Sequence, residues 1–241
     1  MKSKINSVGT ILAAIEAGEI GLPEIQRPFV WKSTQVRDLI DSLYLGFPIG
    51  YIITWQNPDV ILKNGTRSIG KKIIIDGQQR ITALKAALVD QKVLDNNFKS
   101  KRIRISFDPI TKQFATLTPA IEKDKRWIND ISVLFDNSFS SFKFIPQYAE
   151  ANEINPDDIA EPIEHLRQLR NNDLGNIVLS PLLNIESVTE IFNRINSQGT
   201  KLSFADFVMS KLAFDELYDG ANIRRTVEYF SRFLIESQFG Y

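Results

Sequence analysis

Residues 71–88, KKIIIDGQQRITALKAAL, constrain the chain more than any other stretch. Ile73, Ile74 and Ile75 form a β-branched run, the pattern of a strand buried on both faces. Asp76-Gly77 breaks the run. From Gln78 onward, Ile81, Leu84, Ala87 and Leu88 recur at helical spacing. The reading is a buried strand that ends at Asp76, turns at Gly77 and feeds a helix. Helix N-termini present backbone N–H groups and the positive dipole end, which suits an anion. Gly77 allows a ligand close to the backbone. Arg80, in the first helical turn, offers a planar fork for phosphate oxygens. Asp76 could hold a divalent cation or orient a water. The same residues also spell a capping box, with Asp76 as N-cap and Gln79 at N3, worth about 1 kcal/mol with no ligand at all. The two readings are compatible if Asp76 caps with one oxygen. The crowding of Asp, Gln, Gln and Arg where a buried strand meets a helix favours a site, because an unpaired Arg there would be costly.

Composition narrows the chemistry. Lys+Arg and Asp+Glu both number 29 in 241 residues, so the chain is neutral and does not grip nucleic acid by bulk charge. A local basic groove is compatible with that. There is no Cys, hence no disulfide framework and no thiolate chemistry, and the one His, His165, cannot build a multi-histidine metal centre. No stretch reaches transmembrane length and no signal-peptide core opens the chain, so the cytoplasm is the expected location. Apolar helical spacing runs to the last residue, so the native chain is expected to continue.

Around the central stretch, SVGTILAAIEA at 7–17 reads as a helix capped by Ser7 and ended by Gly18. IGLPEIQ at 20–26 is extended, at best an edge strand because of Pro23. QRPFVWKSTQ follows, with Gln26, Arg27 and Trp31 as recognition-capable side chains on an irregular segment and Phe29 as a core plug. Ser33 is expected to cap the next helix, with Val36, Leu39, Ile40 and Leu43 inward and Gly46 as its stop. YIITWQ at 51–56 is a strand, and 57–71 is a surface loop. RIRISF at 102–107 alternates as a half-exposed strand, with FATLT at 114–118 as its hairpin partner. Helical patterning dominates from about Trp127, including 156–171 with His165 beside the apolar stripe. NIVLSPLL at 176–183 is a short strand, and Ser187 is read as the cap of VTEIFNRIN.

A second polar cluster lies in FNRINSQGTKLS. Asn193 and Asn196 are three apart and share a helix face. Gln198 to Lys201 form a loop into another helix. Helix-loop-helix capping accounts for the pattern. Amide oxygens beside a Gly-Thr-Lys loop equally suit a metal-bound phosphate.

LPEIQRPFVWKSTQVRDLIDSLYLGFPIGYI, IIIDGQQRITAL and IFNRINSQGTKLSFADFVMSKL, in that order, resemble the DUF262 domain, the amino-terminal domain of GmrSD-type modification-dependent restriction proteins and related phage-defence proteins. The resemblance spans roughly residues 5–215. The family is similar to the ParB/sulfiredoxin-like fold, in which a glycine-arginine helix start cradles nucleotide phosphates and a later Asn-bearing segment helps hold the metal. This chain departs from ParB at Ile195, where a Glu would stand, and at Gly199, where an Arg would stand. Metal ligation there requires Asn193 or Asp76 to stand in. The resemblance implies NTP binding and hydrolysis with Mg²⁺, coupled to DNA restriction. DNA cutting would belong to a separate carboxy-terminal His-Asn-His nuclease domain or partner subunit, which a single His cannot build here.

The expectation is therefore an α+β chain. Residues 1–120 form a small mixed sheet with flanking helices and bind nucleotide; residues 121–241 form a mostly helical part carrying FNRINSQG. The resemblance assigns Asp76, Gln79 and Arg80 to catalysis. It assigns Gln26, Arg27, Gly77, Gln78, Arg80, Asn193, Arg194, Asn196 and Lys201 to the nucleotide, and Asp76 and Asn196 to the metal. A homo-oligomer stays open. Two rivals remain: a ParB-like DNA-binding or DNA-nicking module, which would show salt-dependent DNA binding, and a non-catalytic interaction domain, whose melting no nucleotide would shift.

Overall fold

The computed structural model describes residues 2–21, 29–56, 72–94 and 99–184, with scattered positions between 187 and 230. In chain order the elements are β1 (Lys2–Ser7), α1 (Val8–Glu16), β2 (Ile20–Gly21), α2 (Ser33–Tyr44), β3 (Tyr51–Gln56), β4 (Lys72–Asp76), α3 (Gln78–Leu88), β5 (Val93–Leu94), β6 (Ser100–Lys101), β7 (Ile105–Asp108), β8 (Gln113–Thr116), α4 (Pro119–Lys123), α5 (Ser141–Asn152), α6 (Pro156–Arg167) and β9 (Asp173–Leu179). The fold is α+β, built on a five-stranded mixed sheet in the order β1-β9-β3-β4-β2. β9 runs parallel to β3 and antiparallel to β1, while β4 runs antiparallel to β3 and parallel to β2.

The isoleucine run of β4 is buried on both faces, as its sequence demands. Ile74 joins Ile52, Leu174 and the inward stripes of α1, α2 and α3 in the larger core. Ile73 and Ile75 turn the other way and meet Ile53, Trp55, Leu179 and Val188. Burying each such side chain contributes about 1.5–3 kcal/mol, so this strand anchors two layers at once. The hairpin β7–β8 is a separate two-stranded sheet that packs against α2. Among the described residues no helix is long and apolar enough to cross a membrane.

Several local expectations change. Ser7 does cap α1, accepting from the Thr10 N–H at 3.1 Å. Ser33, however, is the first residue inside α2; Lys32 is the N-cap, and its N–H donates to Gln35 Oε1 at 2.8 Å. The cap of the stretch after β9 is Asn184 rather than Ser187: its Oδ1 accepts from the Ser187 N–H at 2.9 Å. The strand in RIRISF begins only at Ile105, and all four of its residues are buried instead of alternating. The reason is packing: α2 and the turn Ile131–Phe135 pack against this strand, and Ile128 pairs with its edge through backbone hydrogen bonds of 3.0 and 2.8 Å with Phe107. β1 is a mostly exposed edge strand, KSKINS, whose single apolar residue, Ile5, gives no alternation for sequence reading to detect. β9 lies beyond residue 120 yet sits between β1 and β3, so the sheet draws on both halves of the chain.

Candidate functional site

The strand-turn-helix junction forms as the sequence requires, with one change of cap. β4 ends at Asp76, and Gly77 is the N-cap of α3 at φ +93°, with no side-chain cap bond. The first intrahelical bond runs from the Ile81 N–H to the Gly77 carbonyl at 3.0 Å. The Asp76/Gln79 capping box is therefore absent. The turn needs a positive φ at the cap, which Gly supplies without the Cβ penalty. Gly77 meets a second demand as well: a Cβ there would lie 2.7 Å from Ile52 Cγ2, so the space beside it belongs to the core.

With the cap at Gly77, neither Asp76 nor Gln79 acts through a capping box. The β3–β4 register shifts between Ile53 and Thr54, where Ile53 comes opposite Asp76. Irregularities of this kind re-aim strand-end side chains. Gln79 Oε1 accepts from the Val30 N–H at 3.1 Å, while the Phe29 N–H donates to the Leu94 carbonyl at 3.0 Å. The first bond seats the end of the QRPFVW segment on the first turn of α3, and the second ties it to β5. Phe29 is buried, as expected, and Trp31 is partly buried against the core.

Arg80 folds back toward the sheet. Its Nη1 donates to the Tyr51 carbonyl at 2.8 Å, and its guanidinium lies against Gly50, where a Cβ would come within 3.2 Å of Nη2. Gly50 itself has φ +88°. Burial pushes the Arg80 guanidinium below its ordinary value, and the neighbouring Asp76 carboxylate opposes that shift. The charge thus sits partly desolvated at the positive end of α3. A guanidinium carries five N–H donors in a rigid fork; the Tyr51 carbonyl takes one.

The structure therefore brings Asp76, Gly77, Gln78, Gln79 and Arg80 together at one end of the sheet, all partly buried. Gln26, Arg27, Asn193, Asn196 and Lys201 lie outside the described residues. Arg194 is helical and exposed, and its Nη2 pairs with Glu190 Oε1 at 2.5 Å, one turn earlier. His165 is structural: its Nε2 makes a 2.8 Å hydrogen bond with the Tyr44 carbonyl, and its ring meets the Tyr44 ring edge-on at 4.5 Å. Sequence reading did not select Tyr51 or Gly50 as site residues. The available signal was the Gly directly before a strand, in FPIGY.

Magnesium takes one or two protein carboxylates and completes its octahedron with water and phosphate oxygens. Asp76 fits that mode. Among the described residues no group of three His, Cys, Asp or Glu side chains could form an all-protein cage.

The chain is 26% identical over 229 residues to a protein of Methanocaldococcus jannaschii, "Uncharacterized protein MJ0686", with 80% of this chain and 39% of the relative covered. The chain thus spans well under half the length of that relative. The family model described as "GmrSD restriction endonuclease, N-terminal domain" matches residues 8–213, a span that contains all three motifs. This protein belongs to the GmrSD restriction endonuclease N-terminal domain family.

Proposed function

We propose that this chain is the nucleotide-binding and NTP-hydrolysing part of a modification-dependent DNA restriction system, on a ParB/sulfiredoxin-like fold. The observation that carries the reading is Arg80: a partly desolvated guanidinium beside Asp76, at the start of a helix, with one donor anchored to Tyr51. Anchoring through one N–H fixes the fork and leaves it directed by the strand. The α3 dipole and the Arg80 charge then act on the same anion, and charge-assisted bonds of this type contribute about 1.5–3 kcal/mol each. Asp76 would hold Mg²⁺ between itself and the phosphates, and the ion would neutralise charge on the transferring phosphoryl group. In this reading Asp76 also accepts a hydrogen bond from the attacking water. Gln26, Arg27, Asn193, Asn196 and Lys201 complete the nucleotide site, with Asn196 as a second oxygen ligand. Family membership supports a place in restriction, and the greater length of the archaeal relative leaves room for a DNA-cutting domain.

The test is a melting screen of the four NTPs with and without Mg²⁺. A ligand at 100 times its Kd adds about 2.7 kcal/mol to the native state, which for a chain of this size raises the Tm by roughly 5–10 °C. The shift should require Mg²⁺ and should largely disappear in Arg80→Ala. No shift with any NTP would leave the interaction-domain reading in its place.

A further inference from the structure

Tyr51, the first residue of β3, is built into the sheet in an unusual way. Its carbonyl accepts the 2.8 Å bond from Arg80, while its ring lies across Gly175, the residue opposite it on β9, where a Cβ would collide with the ring. Gly50 on the preceding position keeps the strand end bare beside the Arg80 guanidinium. Two glycines thus clear the two sides of one residue. The ring shares a sheet face with Ile53 and Trp55, which are 2% and 4% exposed, yet Tyr51 is 58% exposed. Ile5, opposite Gly175 on β1, is 72% exposed and extends the same apolar row. Laying an aromatic ring over a strand glycine repairs a gap in the sheet. That explains the inner face of the ring. It does not explain a bare outer face on the residue that anchors Arg80.

We propose that the Tyr51 ring is the platform on which the nucleotide base stacks while its phosphates are held at the start of α3. This rests on the nucleotide-binding reading above. The ring is pinned from below by Gly175, so stacking orders no further side chain; Arg80 meets the end of β3 from the α3 face beside Gly50, whereas the ring lies on the opposite face, so the ligand would run round the strand end between them. Every base has a π-face, so the platform tolerates any base; the larger purine ring covers more of it, and purine NTPs should bind more tightly.

Because Arg80 bonds the Tyr51 carbonyl, substituting the side chain leaves that anchor in place. The experiment titrates ATP, CTP and inorganic tripolyphosphate, each with Mg²⁺, into the parent chain, Tyr51→Phe, Tyr51→Leu and Tyr51→Ala. Leu keeps an apolar cover on Gly175 and guards against a loss of folding. We expect Leu and Ala to weaken ATP by roughly 5- to 150-fold, to leave tripolyphosphate affinity unchanged, and Phe to behave as the parent. Equal ATP affinity in parent, Leu and Ala overturns the platform, even if Ala lowers the Tm, because the ring then only repairs Gly175. So does a parent chain that binds tripolyphosphate as tightly as ATP. A parent that binds neither overturns the nucleotide reading itself, and the platform with it.

Discussion

Asp76 is the residue at which the two readings of the central stretch part company. The structure removes the capping role, since Gly77 is the N-cap of α3 and there is no side-chain cap bond. Asp76→Asn keeps the shape and discards the charge. It should cost about 1 kcal/mol or less, the typical worth of a partly exposed charge pair, and leave the Tm within a few degrees. NTP turnover should fall by orders of magnitude, because a metal or an attacking water requires the carboxylate. An Asp76→Asn protein that hydrolyses NTP at the parent rate would refute the catalytic role. Gly77→Ala tests the scaffold instead. Positive φ costs an alanine roughly 1–2 kcal/mol, and the contact with Ile52 adds to it. Denaturant unfolding should show a loss of at least that size, and a variant as stable as the parent would mean that the turn relaxes freely.

Among the elements, β9 shows how far sequence could see. The strand run of β4, the helix after it, the inward stripes of α1 and α2 and the β7–β8 hairpin were legible, because each shows its period locally. β1 was not, because an edge strand with one apolar residue, Ile5, among Lys, Ser and Asn shows no alternation. β9 was legible as a strand over part of its length but not as the centre of a sheet, because pairing partners lie in no local pattern. The cap of α3 was misread because Asp precedes Gly; the steric need of the turn, set by Ile52, outweighs the capping preference of Asp. The Arg80–Tyr51 contact was invisible for the same reason as the sheet order, since it joins residues 29 positions apart. Inside the sheet, Thr54 Oγ1 donates to Asn176 Oδ1 at 2.9 Å, and both side chains are buried. This bond ties β3 to β9. Thr54→Val should destabilise by about 1–3 kcal/mol, because it leaves a buried acceptor without this donor. A double-mutant cycle with Asn176→Leu should give a coupling near 1 kcal/mol in urea unfolding; zero coupling would show that the two strands are held by packing alone.

For the molecule as a whole, the sheet cannot be finished early. β3 ends at Gln56 and its parallel neighbour β9 starts at Asp173. A fragment of residues 1–120 would expose the β9 side of β3 and lose Leu174 and Leu179 from the two cores. Such a fragment should melt without a cooperative transition, and sharp unfolding of it would contradict the topology described above. The same gap in sequence has a consequence on the ribosome. At ~5–20 residues per second, β3 emerges roughly 6–25 s before β9. For that interval the nascent chain carries an unpaired edge of Ile, Ile, Thr and Trp, the kind of segment that recruits other strands. Its completion depends on how quickly translation delivers the second half, so slowing synthesis between codons 57 and 172 should divert product into aggregates while leaving the mature protein's stability untouched.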